Sequence, residues 1–352
     1  MKSKIIGAGN YVPSQTITNL FFDKHHFLDE NGLALTHDNA TIINKLKEIT
    51  GIEERRYATK EQVASDLGFF AAKSAIKDSG IDPETLDYII FAHNFGDVRF
   101  GTVQSDMVPS LASRVKHLLK IKNNFCVAYD IVFGCPGWIE GMIQANAFIK
   151  SGIAKRCLII GAETLSRVVD IHDRDSMIYA DGAGAAILEI SNDESGIQSH
   201  ISGSFTSEEK DYLHFGKSYS NESCPDIRYI KMNGRKIYEF AILRVPIAMK
   251  ECLDSSGFSI NQLDKIIIHQ ANKKMDEAIL KRFYRLYDAA VPKDIMPMVI
   301  QKLGNSSVAT IPSLLAMIKR GELPEHSIKK GDIVLFASVG AGMNINAFVY
   351  KA

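Results

Sequence analysis

The sequence predicts a layered α/β fold made of two similar halves. Three observations carry that expectation. Short apolar runs of strand length alternate with longer helical patterns, as they do where strands and helices stack in layers. Several of these units recur with matching spacing in the first and second parts of the chain. The length of 352 residues suits about two domain-sized units, or one large duplicated fold, burying roughly three quarters of the unfolded chain's surface.

Taken in order, the chain opens on an apolar strand that runs into Gly7, Ala8, Gly9 and Asn10. A dinucleotide loop is set aside there, because Pro13 spoils the helix that should receive a pyrophosphate and the third glycine is missing. Ser79 and Gly80 close a helical stretch, and Leu86 and Asp87 introduce an apolar strand at 88–92. Ser256, Gly257, Leu263 and Asp264 repeat that spacing before a strand at 265–269. A second pair of units follows. Phe133, Gly134, Cys135, Pro136 and Gly137 open a helical stretch that ends at Gly152 and leads to a strand from Cys157; Leu303, Gly304 and Asn305 open one that ends at Gly321 and leads to a strand from Asp332. On this alignment Cys135 and Asn305 hold the same place in two repeats. The polar stretch 191–196 marks the boundary, giving an N-terminal half, 1–190, and a C-terminal half, 191–352. Two such lobes imply a site where the strand ends of both converge.

Composition excludes several functions. With 41 basic and 41 acidic residues the formal net charge is zero, whereas nucleic-acid and polyanion binders carry a strongly basic balance. Five cysteines without a C-x-x-C pair fit a reducing compartment. The N-terminus lacks the features of a signal peptide, and no apolar run approaches the roughly eighteen residues of a membrane span. The expectation is a soluble cytoplasmic protein with neither nucleic acid nor membrane as partner.

Among candidate chemical groups, Cys135 stands out. Pro136 suits the first position of a helix, so Cys135 falls at a helix N-terminus, where the dipole and free N–H groups favour the thiolate. Cys126, Cys157 and Cys252 lie in apolar periodic runs and read as core, and Cys224 as loop. His269 ends an apolar strand, where α/β folds place ligands; a hydrogen-bonded structural histidine is the alternative. Asn305 has a simple N-cap as its alternative. The run from Asp181 through Gly184 reads as close backbone packing. His25, His26 and His172 lack metal-ligand spacing, so no metal is expected.

Thr50, Gly51 and Ile52 with Arg55 and Arg56, Cys135 in its glycine-flanked turn, the run from Asp181, His269-Gln270-Ala271-Asn272, Gly304-Asn305-Ser306-Ser307 with Pro312 behind it, and Val339-Gly340-Ala341-Gly342 together resemble the beta-ketoacyl-acyl-carrier-protein synthase III family of thiolase-fold condensing enzymes. The resemblance covers nearly the whole chain. It implies two thiolase-like βαβαβαββ halves in a five-layered αβαβα architecture, and an acyltransferase working by decarboxylative Claisen condensation. Cys135 would take an acyl primer, with the N–H groups of Cys135 and Gly340 as oxyanion hole. His269 and Asn305 would steady the enolate of a malonyl-carrier thioester. The resemblance also implies a homodimer, an acyl carrier protein as partner and no cofactor beyond the thioester substrates.

Departures accompany the matches. Phe133, Gly134 and Pro136 replace the family's small residues around the cysteine, which places Phe133 against the substrate. Val108 falls in the segment that lines the partner subunit's acyl pocket in the family. Lys45 and Ile49 stand where the family often carries groups against the coenzyme A adenine, although Arg174 still matches the other adenine position. A carrier protein delivering both substrates is therefore weighed beside a coenzyme A thioester as primer donor. Six basic residues against one acidic lie between Arg228 and Lys250, and five against two between Lys273 and Arg285. Arg235, Lys236, Lys273 and Lys274 are the expected docking contacts, Lys274 also matching the family's basic residue beyond the histidine motif; ordinary solvated helix faces are the alternative. A second reading keeps the Cys-His-Asn set but assigns the enzyme to a specialised pathway of resorcinol-lipid, polyene or quinolone type. A degradative thiolase is disfavoured, because the C-terminal glycine turn carries no second cysteine.

Overall fold

The computed structural model describes residues 2–352. Its first sheet has five strands in the order Lys2–Tyr11, Asp181–Ser191, Arg156–Thr164, Tyr88–His93, Val127–Val132. The Tyr88–His93 strand runs parallel to both its neighbours, pairing Ile90 with Ile159 on one side and with Tyr129 on the other. The second sheet orders Gly196–Ser204, Asn344–Lys351, Ile333–Gly340 and Leu263–Ile268, the last two parallel with Ile267 opposite Phe336. Strands 88–93 and 263–268 thus occupy equivalent positions beside 156–164 and 333–340, as the repeated spacing predicts.

Alternating side chains build the layers, because successive residues of a strand face opposite sides. Ile90 and Ala92 point inward, and so does Ile267 of the second sheet; between the sheets they meet Trp138, Met142, Leu314 and Leu315. Those four come from the helices Gly137–Lys150 and Thr310–Lys319, which form the central layer. Ile89 and Phe91 face outward to the Ala64–Ser79 and Leu111–Leu118 helices. Ile266 and Ile268 face outward to Gly234–Ser256 and Lys273–Arg285. Helix, sheet, helix, sheet, helix: this is the five-layered thiolase architecture.

The first half has the full βαβαβαββ order, but the second departs from it by one strand. Where a partner for Leu263–Ile268 belongs, an irregular segment supplies one bond, from Ile266 N to Ile295 O at 2.9 Å. Pro292 and Pro297 bracket that segment and have no N–H to donate, so a regular ladder cannot extend through it. No helix among the described residues is long and apolar enough to cross a membrane.

Candidate functional site

The two central helices and one strand end deliver Cys135, Asn305 and His269 to a single cavity that opens to solvent. From the Val127–Val132 strand the chain turns through Phe133 and Gly134 into Cys135. Pro136 caps the Gly137–Lys150 helix, one residue earlier than the expected first helical position. Gly304 precedes Asn305 with φ 66° and ψ −162°, a conformation that a side chain would strain. Gly340 is required for another reason: a Cβ there would lie 2.7 Å from the Cys135 nitrogen. The backbones of Gly340 and Cys135 therefore meet at the edge of the thiol.

Asn305 is not a helix cap. Its Oδ1 accepts from Ser307 N at 2.8 Å, and its backbone is stitched to the first half by Asn305 N to Ile178 O at 3.0 Å and Ala180 N to Asn305 O at 2.8 Å. With Oδ1 engaged in this turn, the Nδ2 end of the amide is left to act on a ligand. His269 follows the Leu263–Ile268 strand directly, and its Nδ1 lies 2.7 Å from Thr310 Oγ1. The rest of its motif is scaffolding. Gln270 bridges Pro297 O and Val299 N, and Asn272 caps the Lys273–Arg285 helix through Met275 N.

Electrostatics correct one expectation. A helix terminus was expected to favour the Cys135 thiolate, yet burial pushes the thiol from its ordinary value near 9 up to about 12, with the Ser307 hydrogen bond opposing. Desolvation thus acts on the thiol against the direction of the helix terminus. Burial also lowers His269 to about 4, leaving a neutral imidazole. The apolar walls responsible include Leu213, Ile230, Met232 and Met275.

The remaining candidates lie outside this cavity. Phe133 is half-buried beside it, and Val108 is 88% exposed. The Arg174 side chain is 58% exposed and faces Asp175. Arg235 and Lys236 open the Gly234–Ser256 helix, and Lys273 and Lys274 open the Lys273–Arg285 helix. Ile237 and Met275, from the same two helix starts, reach the cavity wall, whereas none of the four cations lines it. Lys231 does not belong with them. It is 3% exposed, paired with Asp170 at 2.6 Å and Asp173 at 3.0 Å, and anchors the Tyr229–Met232 strand over the cavity.

Sequence reasoning missed Asn94, Glu163 and Thr310. Asn94 follows the end of a buried strand, the same signal that singled out His269, and Glu163 is a lone acid in an apolar run. Thr310 lies two residues before the quoted Pro312.

Comparison with known proteins bears on this geometry. The family model described as 3-oxoacyl-[acyl-carrier-protein (ACP)] synthase III matches residues 129–204, and that of its C-terminal region matches residues 253–352. A beta-ketoacyl-[acyl-carrier-protein] synthase III of Aquifex aeolicus is 33% identical over the whole of both chains. One of Staphylococcus haemolyticus is 31% identical, covering 100% of this chain and 99% of its own. The crystal structure of the 3-oxoacyl-[acyl-carrier-protein] synthase III from Aquifex aeolicus superposes with a TM-score of 0.81 at 32% identity, covering 99% of this chain and all of the other.

Proposed function

The chain belongs to the 3-oxoacyl-[acyl-carrier-protein] synthase III family, and from that premise we propose that Cys135 is its acyl-carrying nucleophile, with His269 and Asn305 as the donors to a malonyl-derived enolate. The enzyme is an acyltransferase of the condensing type, forming 3-oxoacyl thioesters in fatty acid biosynthesis. The observation that carries the assignment of roles is the shared cavity, where one thiol, one neutral imidazole and one amide face the same apolar space.

In the first half-reaction the Cys135 sulfur bonds the acyl carbon of a primer thioester, and the donor thiol departs with the proton that Cys135 loses. The N–H groups of Cys135 and Gly340 steady the oxyanion. In the second, the malonyl thioester loses carbon dioxide, and His269 and Asn305 Nδ2 donate to its enolate oxygen. The enolate carbon then bonds the acyl carbon, expelling the Cys135 thiolate. Fixed donors in a dry cavity suit this step, since losing one such donor typically costs about 10²–10³ in rate. The scheme calls on no cofactor beyond its thioester substrates.

An acidic acyl carrier protein is the proposed partner, docking on Arg235, Lys236, Lys273 and Lys274 and passing its substrate arm between them. A coenzyme A thioester is the alternative primer donor, with Arg174 beside its adenine. The proposed assembly is a homodimer in the cytoplasm, where Cys135 stays reduced. Intact mass measurement after incubation with acyl-coenzyme A and acyl-carrier thioesters tests the assignment. Wild type gains the acyl mass and releases it as a 3-oxoacyl product on adding malonyl-carrier; Cys135→Ala gains nothing. If no donor in such a panel acylates Cys135, the reading is wrong.

A further inference from the structure

A second line of polar groups stands behind Cys135, and the condensation scheme leaves it without a task. Ser307 Oγ lies 3.2 Å from the Cys135 sulfur. Asn94 Nδ2 donates to Ser307 Oγ at 3.0 Å. Behind Asn94 is Glu163, 1% exposed, whose Oε1 accepts from the Asn94 backbone N–H at 2.7 Å and from the Asn94 side-chain amide. Ser307 itself is held at φ 51°, in the left-handed region, by the bond from its N–H to Asn305 Oδ1. A non-glycine residue kept in that region points to a local demand that outweighs the strain.

The direction of each bond follows from the number of protons available. A hydroxyl has one proton to give and lone pairs to receive. Asn94 Nδ2 occupies a lone pair of Ser307, which leaves the hydroxyl proton for the sulfur. The amide cannot flip, because its oxygen would then face Glu163 Oε1, which already accepts from the Asn94 backbone N–H. Burial pushes Glu163 up to about 7, yet Oε1 remains an acceptor in either protonation state, because the Asn94 backbone N–H points at it and a bound proton goes to Oε2.

We propose that Ser307 is a catalytic hydrogen-bond donor to the Cys135 sulfur, aimed by Asn94 and Glu163 as positioning residues. The proposal rests on Cys135 as the acyl-carrying nucleophile. Ser307 acts twice and keeps its proton both times. It steadies the thiolate as the bond from Sγ to the acyl carbon forms, and again as that bond breaks when the enolate carbon displaces it. A thiolate is a far better acceptor than a thioester sulfur, so the contact is strong where charge develops and weak in the acyl-enzyme between. It also opposes the burial that raises the thiol.

Alkylation of Cys135 by iodoacetamide, followed by peptide mass as a function of pH, tests this without any acyl substrate. Ser307→Ala is expected to slow alkylation at pH 8 about tenfold and to move the profile up by about one pH unit, the effect of one hydrogen bond to a charged group. Ser307→Gly, which suits the left-handed backbone, removes the same hydroxyl without a folding penalty and should match it. Asn94→Ala should reproduce the shift, and the double variant Asn94→Ala with Ser307→Ala should be no slower than the slower single, since both act through one proton. Glu163→Gln keeps an Oε1 acceptor and should stay near wild type. Unchanged profiles in both serine variants would overturn the donor role, and additive slowing in the double variant would overturn the aiming role. If Cys135 is never acylated, the preceding functional reading fails while these profiles are still measured.

Discussion

Thr310 holds one hydroxyl proton between His269 Nδ1 at 2.7 Å and Ser307 O at 2.9 Å. Where that proton goes decides which nitrogen of the imidazole carries hydrogen. When Thr310 donates to Nδ1, the ring proton sits on Nε2 and His269 can donate into the cavity; when it donates to Ser307 O, Nδ1–H is the donor and Nε2 is an acceptor. Enolate stabilisation needs the first arrangement. Thr310→Val keeps the shape and removes the hydroxyl, leaving a buried Nδ1 without a partner. Malonyl-carrier decarboxylation by Thr310→Val should fall by about 10–100-fold, the scale of losing an outer partner that orients a functional histidine. Thr310→Ser should restore most of it, and acyl transfer to Cys135 should change less. Equal losses in both half-reactions would contradict this placement.

The neutral state of His269 has its own consequence. Its ordinary value is 6.5, and burial lowers it to about 4, because the charged ring would be desolvated. The neutral form is therefore complete above about pH 5 and is lost only as pH falls through about 4. The rate of malonyl-carrier decarboxylation should stay flat from pH 5.5 to 8, with no acid limb near 6.5. The same sign holds for stability: the neutral ring's contribution is present in full above its unfolded value and disappears as pH falls through the folded one. A decline in decarboxylation centred near pH 6.5 would place His269 in water, contrary to the structure.

The contrast between Cys135 and its supports explains what the sequence discloses. Cys135, His269 and Asn305 each sit in a short local signature, a glycine-flanked turn, a strand end or a helix start, and a repeat alignment brings two of them to one place. The layers were legible for a similar reason, since strand alternation and helix stops are local. Ser307 to Cys135 and Asn94 to Ser307 span 172 and 213 residues of chain, so their partnership exists only after the two halves pack. Lys231 failed in the opposite direction. Its neighbours Arg228 and Arg235 made it look like part of a charged face, but the strand Tyr229–Met232 turns it inward onto Asp170 and Asp173. The elevated Cys135 thiol was hidden because cavity walls are assembled from both halves.

The edge of the first sheet supports a last prediction. Val127–Val132 is hydrogen-bonded to Tyr88–His93 on one side, and the sheet ends there. Val127 is 46% exposed and Val132 63%, with Phe125 just before them at 90%. Unpaired apolar edge strands template association with another chain, and folded proteins ordinarily cover or charge them. This edge carries no charge at its two exposed valines, which fits pairing with the same strand of a second copy. It also leads straight to Cys135, so whatever covers it lies close to the thiol. Val132→Lys puts a charge on this apolar edge and should shift a dimer formed there toward monomer in sedimentation equilibrium. Acyl transfer should fall with dimer content as protein is diluted, whereas iodoacetamide should still reach Cys135. A wild-type protein that is monomeric and fully active at micromolar concentration would show that the pocket needs no second copy.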